Sequence, residues 1–198
     1  MIDSLWRALI TTGPLEATAV VLGVAYVLLI LKRNRLGWVA GGLSAAIYIW
    51  LSARAGLPMQ STLQVYYVVM AVYGWISWAP AQQAAGGGIN RWPLRFHAAA
   101  LLGVALLSLA SARVLATETH AAWPYLDSFT TWVSLLATWM VTQMKLENWL
   151  YWIGADAVMA WLFAAQGYSA TAVLFLIYLV IAVFGFREWL SQYRQAPA

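Results

Sequence analysis

Long apolar runs separated by short polar breaks set the rhythm of this chain. One run extends from Leu15 to about Leu31 and stops at Lys32-Arg33-Asn34-Arg35; a second follows from Trp38 to about Ala53. The turn Arg54 to Pro58 separates it from a third, Met59 to Trp78. Four more come later: Phe96 to about Ala116, Asp127 to Gln143, Asn148 to about Ala165, and Ala170 to about Trp189. A helix of about 20 residues at 1.5 Å rise crosses a hydrocarbon core of about 30 Å, so the pattern predicts seven membrane-spanning helices. Residues 2 to 12 mix Asp3 and Arg7 with apolar positions and lack a small-residue cleavage site, which predicts a short interfacial segment, not a signal peptide. The polar stretch 79–95 reads as a linker. Its Gly86-Gly87-Gly88 has neither the preceding strand nor the lysine that a phosphate-binding loop requires.

The chain also repeats itself. An offset of 111 residues aligns Trp38 to Trp78 with Trp149 to Trp189 without a gap, matching Trp50 with Trp161, Gly56 with Gly167, Tyr67 with Tyr178 and Gly74 with Gly185. Extended backwards, it pairs Leu15-Glu16 with Leu126-Asp127. The offset contains four spans, an even number, so both copies run in the same direction through the membrane. The predicted architecture is a parallel three-plus-one-plus-three arrangement: first repeat 15–78, cytoplasmic linker 79–95, linker helix and outer loop 96–125, second repeat 126–189, with segments 1–14 and 190–198 at the ends. Transporters built from such repeats hold their substrate near the midplane, where the copies meet.

Composition sharpens the class. Of 198 residues, 63% are hydrophobic and 9% charged, against about 25% charged in a soluble domain, so the chain reads as an all-α integral membrane protein. There is no cysteine, which removes disulfides and thiolate metal sites. The 13 Trp and 10 Tyr exceed what interfacial belts require and point to an aromatic-lined interior. A net charge of +4 is small and lies in the loops, so it reports topology and not nucleic-acid binding. Arg7, Arg54 and Arg113 fall on one side; Lys32, Arg33, Arg35, Arg91, Arg95, Lys145, Arg187 and Arg194 fall on the other. The positive-inside rule then predicts a cytoplasmic C-terminus and an outer N-terminus.

Polar residues inside the spans are the candidates for chemistry. Asp156 is the one carboxylate well inside a run, about 12 Å along the sixth helix from Asn148, and an intramembrane carboxylate is a functional hypothesis by default. Its alternative is a structural carboxylate bonded to a neighbouring span. Asn148, Trp152 and Asp156 follow one another at i+4 and share a face, with Trp149 beside them. Indole faces attract cations, an amide pairs with an amide, and a carboxylate accepts from hydroxyls, so this face suits a small aromatic cation. Trp149 could instead be an interfacial anchor. On the third span Gln64, Tyr67 and Tyr73 fall along one stripe, Tyr178 repeats Tyr67, and Gln64 has a helix–helix hydrogen bond as its alternative. No Lys or Arg lies deep in a span, which disfavours a phosphorylated substrate. His97 and His120 fall near the membrane surfaces without metal-ligating or catalytic company, so no catalytic residue, metal or cofactor is expected.

The segments KRNRLGW, QVYYVVMAVYGWISW, ENWLYWIGADAV and YLVIAVFGFREW, in this order, resemble the PnuC family of bacterial vitamin transporters from about Glu16 to Trp189. The resemblance implies a seven-span fold similar to the SWEET sugar transporters, a homotrimer in the bacterial inner membrane, and facilitated diffusion of a dephosphorylated vitamin that a cytoplasmic kinase then traps. Nicotinamide riboside is the expected substrate, with thiamine or another vitamin as the alternative. Both named vitamins are cations, so the electrostatics of the face around Asp156 does not separate them.

Overall fold

The computed structural model describes residues 13–54, 58–81, 88–118, 123–167 and 169–195. Seven helices account for nearly all of them: α1 (Pro14–Leu31), α2 (Leu36–Arg54), α3 (Pro58–Ala81), α4 (Leu94–Glu118), α5 (Pro124–Thr142), α6 (Asn148–Ala165) and α7 (Ser169–Gln195). The expected interfacial segment 2–12, linker residues 82–87 and His120 lie outside the described residues. Proline opens α1, α3 and α5, where its missing N–H has no helical partner to lose and its fixed φ already suits the helix. Four helices are long and apolar enough on their own to cross a membrane: α1, α2, α4 and α7. The other three carry Gln64, the hydroxyls of α5, and Asn148 with Asp156, the polar positions that lower their hydropathy. The last helix continues past Trp189 to Gln195, so the expected tail is largely helical, with Arg194 placed favourably in the final turn.

The chain divides into two compact units, Met1–Gly88 with Arg187–Ala198, and Ile89–Phe186. In the first, α2 packs against α1 and α3. Ser44 Oγ donates to Ala19 O at 2.8 Å, bringing α2 close to α1 where Ala19 has no exposed surface. Trp38, Trp78 and Trp189 form a buried indole cluster. Trp38 meets Trp78 edge-on at 5.4 Å, Trp78 lies 6.1 Å from Trp189, and Trp189 Nε1 donates to Leu31 O at 3.0 Å. In the second unit α5 packs against α4 and α6, burying Val104, Val133 and Ala155 beneath Phe129 and Tyr151.

The repeat survives at atomic detail in the turns that follow α1 and α5. Arg33 and Met144, at equivalent positions, both take positive φ, 55° and 51°. The left-handed region costs a residue with a side chain about 1–2 kcal/mol, so its recurrence reflects one shared backbone path. Hydrogen bonds repeat with it: Asn34 N–H donates to Leu29 O at 2.8 Å and Lys145 N–H to Met140 O at 3.0 Å; Gly37 N–H donates to Asn34 O at 3.0 Å and Asn148 N–H to Lys145 O at 3.1 Å. The Trp on Gly contact recurs as well. A Cβ on Gly74 would fall 2.3 Å from the Trp38 ring, and one on Gly185 would fall 2.6 Å from the Trp149 ring. In both copies the glycine is there because an indole occupies the space.

The end of the linker is more ordered than a free connection. Asn90 pairs with Lys145 in an isolated parallel bridge: its N–H donates to Met144 O at 3.1 Å and its carbonyl accepts from Leu146 N–H at 3.0 Å. Arg91 Nε lies 2.8 Å from Glu147 Oε1.

Candidate functional site

Helix α6 presents the polar face. Asn148 is fully buried at its first turn, with Nδ2 donating to Lys145 O at 2.6 Å and Oδ1 buried without a partner among the described residues. Asp156 is 4% exposed, and no described residue pairs with its carboxylate. Trp152, between them, is half-buried. A buried amide oxygen and a buried carboxylate are both acceptors, and burial makes an incoming donor worth more to each.

The corresponding positions of the first repeat show how far this face has diverged. Gly37, Gly41 and Ala45 stand where Asn148, Trp152 and Asp156 stand in the second. In the first copy the hollow over Gly41 is filled by Tyr26, whose ring lies 2.7 Å from where a Cβ would sit. Position 137, equivalent to Tyr26, is a fully buried alanine. By the alignment of the repeats, a large ring on α1 against a glycine on α2 corresponds to a small residue on α5 and a tryptophan on α6.

The remaining expected residues are placed as follows, each within its own unit. In the first unit Gln64 and Tyr67 are half-buried on α3, Tyr67 meets Tyr66 edge-on at 5.7 Å, and Tyr26 lies within electrostatic reach of both tyrosines. Tyr73 is 43% exposed. In the second unit Tyr178 is half-buried and meets Phe175 edge-on at 6.2 Å, while Phe175 stacks on Phe163 at 5.5 Å and 7°. Phe175 occupies the position of Gln64, so this part of α7 is apolar where α3 is polar. Trp149 is 2% exposed and lies on Gly185, repeating Trp38 on Gly74; its ring is a packing element of the repeat frame.

Two groups escaped the reading of the sequence. Helix α5 carries hydroxyls at Thr130, Ser134, Thr138 and Thr142, an i+4 series visible in the sequence, of which Thr130, Thr138 and Thr142 are buried. Thr138 Oγ1 donates to Ser134 O at 2.7 Å and Thr142 Oγ1 to Trp139 O at 2.6 Å, which leaves their lone pairs as acceptors. The second group surrounds the start of α6. Expected at the surface, His97 is instead half-buried, with Nδ1 2.9 Å from Tyr151 Oη. Nearby, Lys145 Nζ donates to Asn90 Oδ1 and lies 5.1 Å from the Trp92 ring centroid. Burial lowers the Lys145 pKa, and Glu147 partly opposes the shift. Among the described residues no cluster of His, Cys, Asp or Glu could hold a metal ion.

Comparison with known proteins places this architecture. A crystal structure described as the vitamin B3 transporter PnuC superposes with a TM-score of 0.75, covering 92% of this chain and 83% of that one at 20% identity, a likeness of fold. The nicotinamide riboside transporter PnuC of Escherichia coli is 26% identical in an alignment 159 positions long that covers 67% of this chain and 66% of that protein, so the chain spans about two thirds of that relative. The riboflavin/roseoflavin transporter RibM of Streptomyces davaonensis is 25% identical in an alignment 181 positions long that covers 85% of this chain and 81% of that protein. The sequence profile described as nicotinamide mononucleotide transporter matches residues 13–191, nearly the whole chain, and the chain therefore belongs to that family.

Proposed function

We propose that this protein is a membrane carrier that takes up nicotinamide riboside by facilitated diffusion, with phosphorylation in the cytoplasm preventing its return. The observation that carries the reading is the face of α6 on which Asn148, Trp152 and Asp156 replace the Gly37, Gly41 and Ala45 of the first repeat. A buried carboxylate balances a pyridinium cation or accepts from ribose hydroxyls, an indole attracts the cation through its ring face, and the open Oδ1 of Asn148 accepts from the carboxamide. Gln64, Tyr67 and Tyr73 of α3 and Tyr178 of α7 are assigned as further substrate contacts. Trp149 is set aside as packing. The family description names a mononucleotide, but its phosphate needs a cation, and the described lysines and arginines lie in turns or within about two turns of a helix end. The dephosphorylated nucleoside fits better.

The carrier sits in the bacterial inner membrane with its N-terminus outside and its C-terminus in the cytoplasm, as a homotrimer. A second reading, a carrier of another vitamin, draws support from the similarity to a riboflavin transporter over 85% of the chain. Riboflavin is neutral and thiamine is a cation. The test is thermal stability of purified protein with each of the three vitamins at equal concentration, because a ligand bound only by the folded state raises the midpoint by an amount that grows with the ratio of its concentration to its Kd. Nicotinamide riboside is expected to give the largest rise; a larger rise with riboflavin or thiamine overturns the substrate. Uptake in a strain lacking its own carrier tests the residues. Asp156→Ala and Asn148→Ala are each expected to lower uptake at least about tenfold, the effect of losing one buried hydrogen bond of ~1.4 kcal/mol. Normal saturable uptake by both variants at equal expression overturns the assignment.

A further inference from the structure

The second unit carries a groove of about 640 Å³ that the proposed transport site does not use. Its walls are apolar, with Leu94 and Leu101 from α4, Phe129 and Val133 from α5, and Leu150 and Val158 from α6. One end is polar, where Arg91, His97, Glu147 and Tyr151 meet. From Glu147 to Val158 the lining advances eleven residues along α6, about 16 Å, which is half of a hydrocarbon core of about 30 Å. On α5 it reaches Phe129, thirteen residues and about 20 Å from the end of that helix at Thr142, so the groove runs from one membrane face into the middle of the bilayer. Its polar end lies beside Trp92, whose ring packs 3.8 Å from Phe96 and 5.1 Å from Trp139, an aromatic cluster of the kind that marks a membrane interface.

Charge at this mouth is unbalanced. Arg91 lines the mouth and is exposed, the exposed Arg95 directly follows the lining residue Leu94, and Lys145 lies 5.1 Å from the ring of the lining Trp92, against the carboxylate of Glu147, which is 7% exposed and held by Arg91. His97 adds a directed donor. When Nδ1 accepts from Tyr151 Oη, the proton resides on Nε2, and that nitrogen is buried without a partner among the described residues. Asn148, Trp152 and Asp156 do not line this groove, so it is separate from the face proposed for transport. A lipid tail needs one leaflet, a cationic mouth and a donor near the glycerol esters.

We propose that this groove binds one acyl chain of an anionic phospholipid from the leaflet on the side of the basic turns, with its phosphate at Arg91 and Arg95 and an ester carbonyl at His97 Nε2. Gly154 supplies the test, since it lines the groove and a Cβ built there meets nothing within 4 Å. Leucine at this position fills the groove and raises helix propensity, so Gly154→Leu is expected to fold at least as stably as the parent. Full-length protein in detergent is titrated with phosphatidylglycerol or phosphatidylcholine micelles and its unfolding midpoint is read. The parent is expected to rise by about 5 °C or more with phosphatidylglycerol and by less with phosphatidylcholine. Gly154→Leu removes the rise, and Arg95→Gln equalises the two lipids. Equal stabilisation of the parent by both lipids overturns the headgroup assignment. A phosphatidylglycerol rise that survives in Gly154→Leu overturns the groove, and a change of oligomeric state in that variant, read by light scattering, overturns it in favour of a second copy of the chain.

Discussion

At the residue scale, an alanine scan cannot separate packing from substrate contact at Trp152, because deleting a large ring destabilises by up to about 3–5 kcal/mol whatever it touches. The repeat offers a cleaner route. Tyr26 packs against Gly41 in the first copy, and the equivalent positions in the second are Ala137 and Trp152, so the two can be exchanged as a unit. Trp152→Gly alone is expected to lower the unfolding midpoint, and adding Ala137→Tyr is expected to recover most of it by refilling the space in the manner of the first repeat. Uptake by the double variant should stay low if the indole on α6 contacts substrate. Recovery of uptake together with stability would assign Trp152 to packing alone.

At the element scale, the helices meet through glycines under indoles, and this contact is as specific as any in the molecule. Gly74→Ala would place a Cβ 2.3 Å from a rigid ring, so α3 must move away from Trp38 or the ring must leave its position. The expected destabilisation is about 1–3 kcal/mol, or roughly 2–10 °C in the midpoint for a chain of this size. Coupling Gly74→Ala with Trp38→Leu should lose less than the sum of the two single changes, because one substitution removes the clash made by the other. Additive losses would show that the pair does not interact. The helices themselves were legible in the sequence because apolar length and the prolines at 14, 58 and 124 are local signals. Polar contacts across sequence distance were not. Asn90 reaching Lys145, Arg91 reaching Glu147 and His97 reaching Tyr151 join residues more than fifty positions apart, and nothing local announces such a pairing. Of the α6 face, the i+4 spacing of Asn148, Trp152 and Asp156 was readable from sequence. The packing role of Trp149 was not, because its alignment with Trp38 carries that meaning only once the Trp38 ring is seen on Gly74.

At the scale of the whole molecule, the absence of cysteine makes the chain its own background for mapping topology. Gly13→Cys precedes α1 and meets no neighbour, and Gln195→Cys ends α7 at an exposed position. In intact cells a membrane-impermeant maleimide is expected to label the first and not the second, with both labelled after permeabilisation; the reverse pattern would invert the orientation drawn from the basic turns. Two turns at the basic side also speak about time. Lys32-Arg33-Asn34-Arg35 and Gln143-Met144-Lys145-Leu146 share no residue at any equivalent position, yet both follow one path through an unfavourable left-handed step. Two unrelated sequences have little reason to choose the same costly dihedral at the same place. The halves are therefore descendants of one duplicated peptide, and their common ancestry is still written in backbone angles where the letters no longer record it.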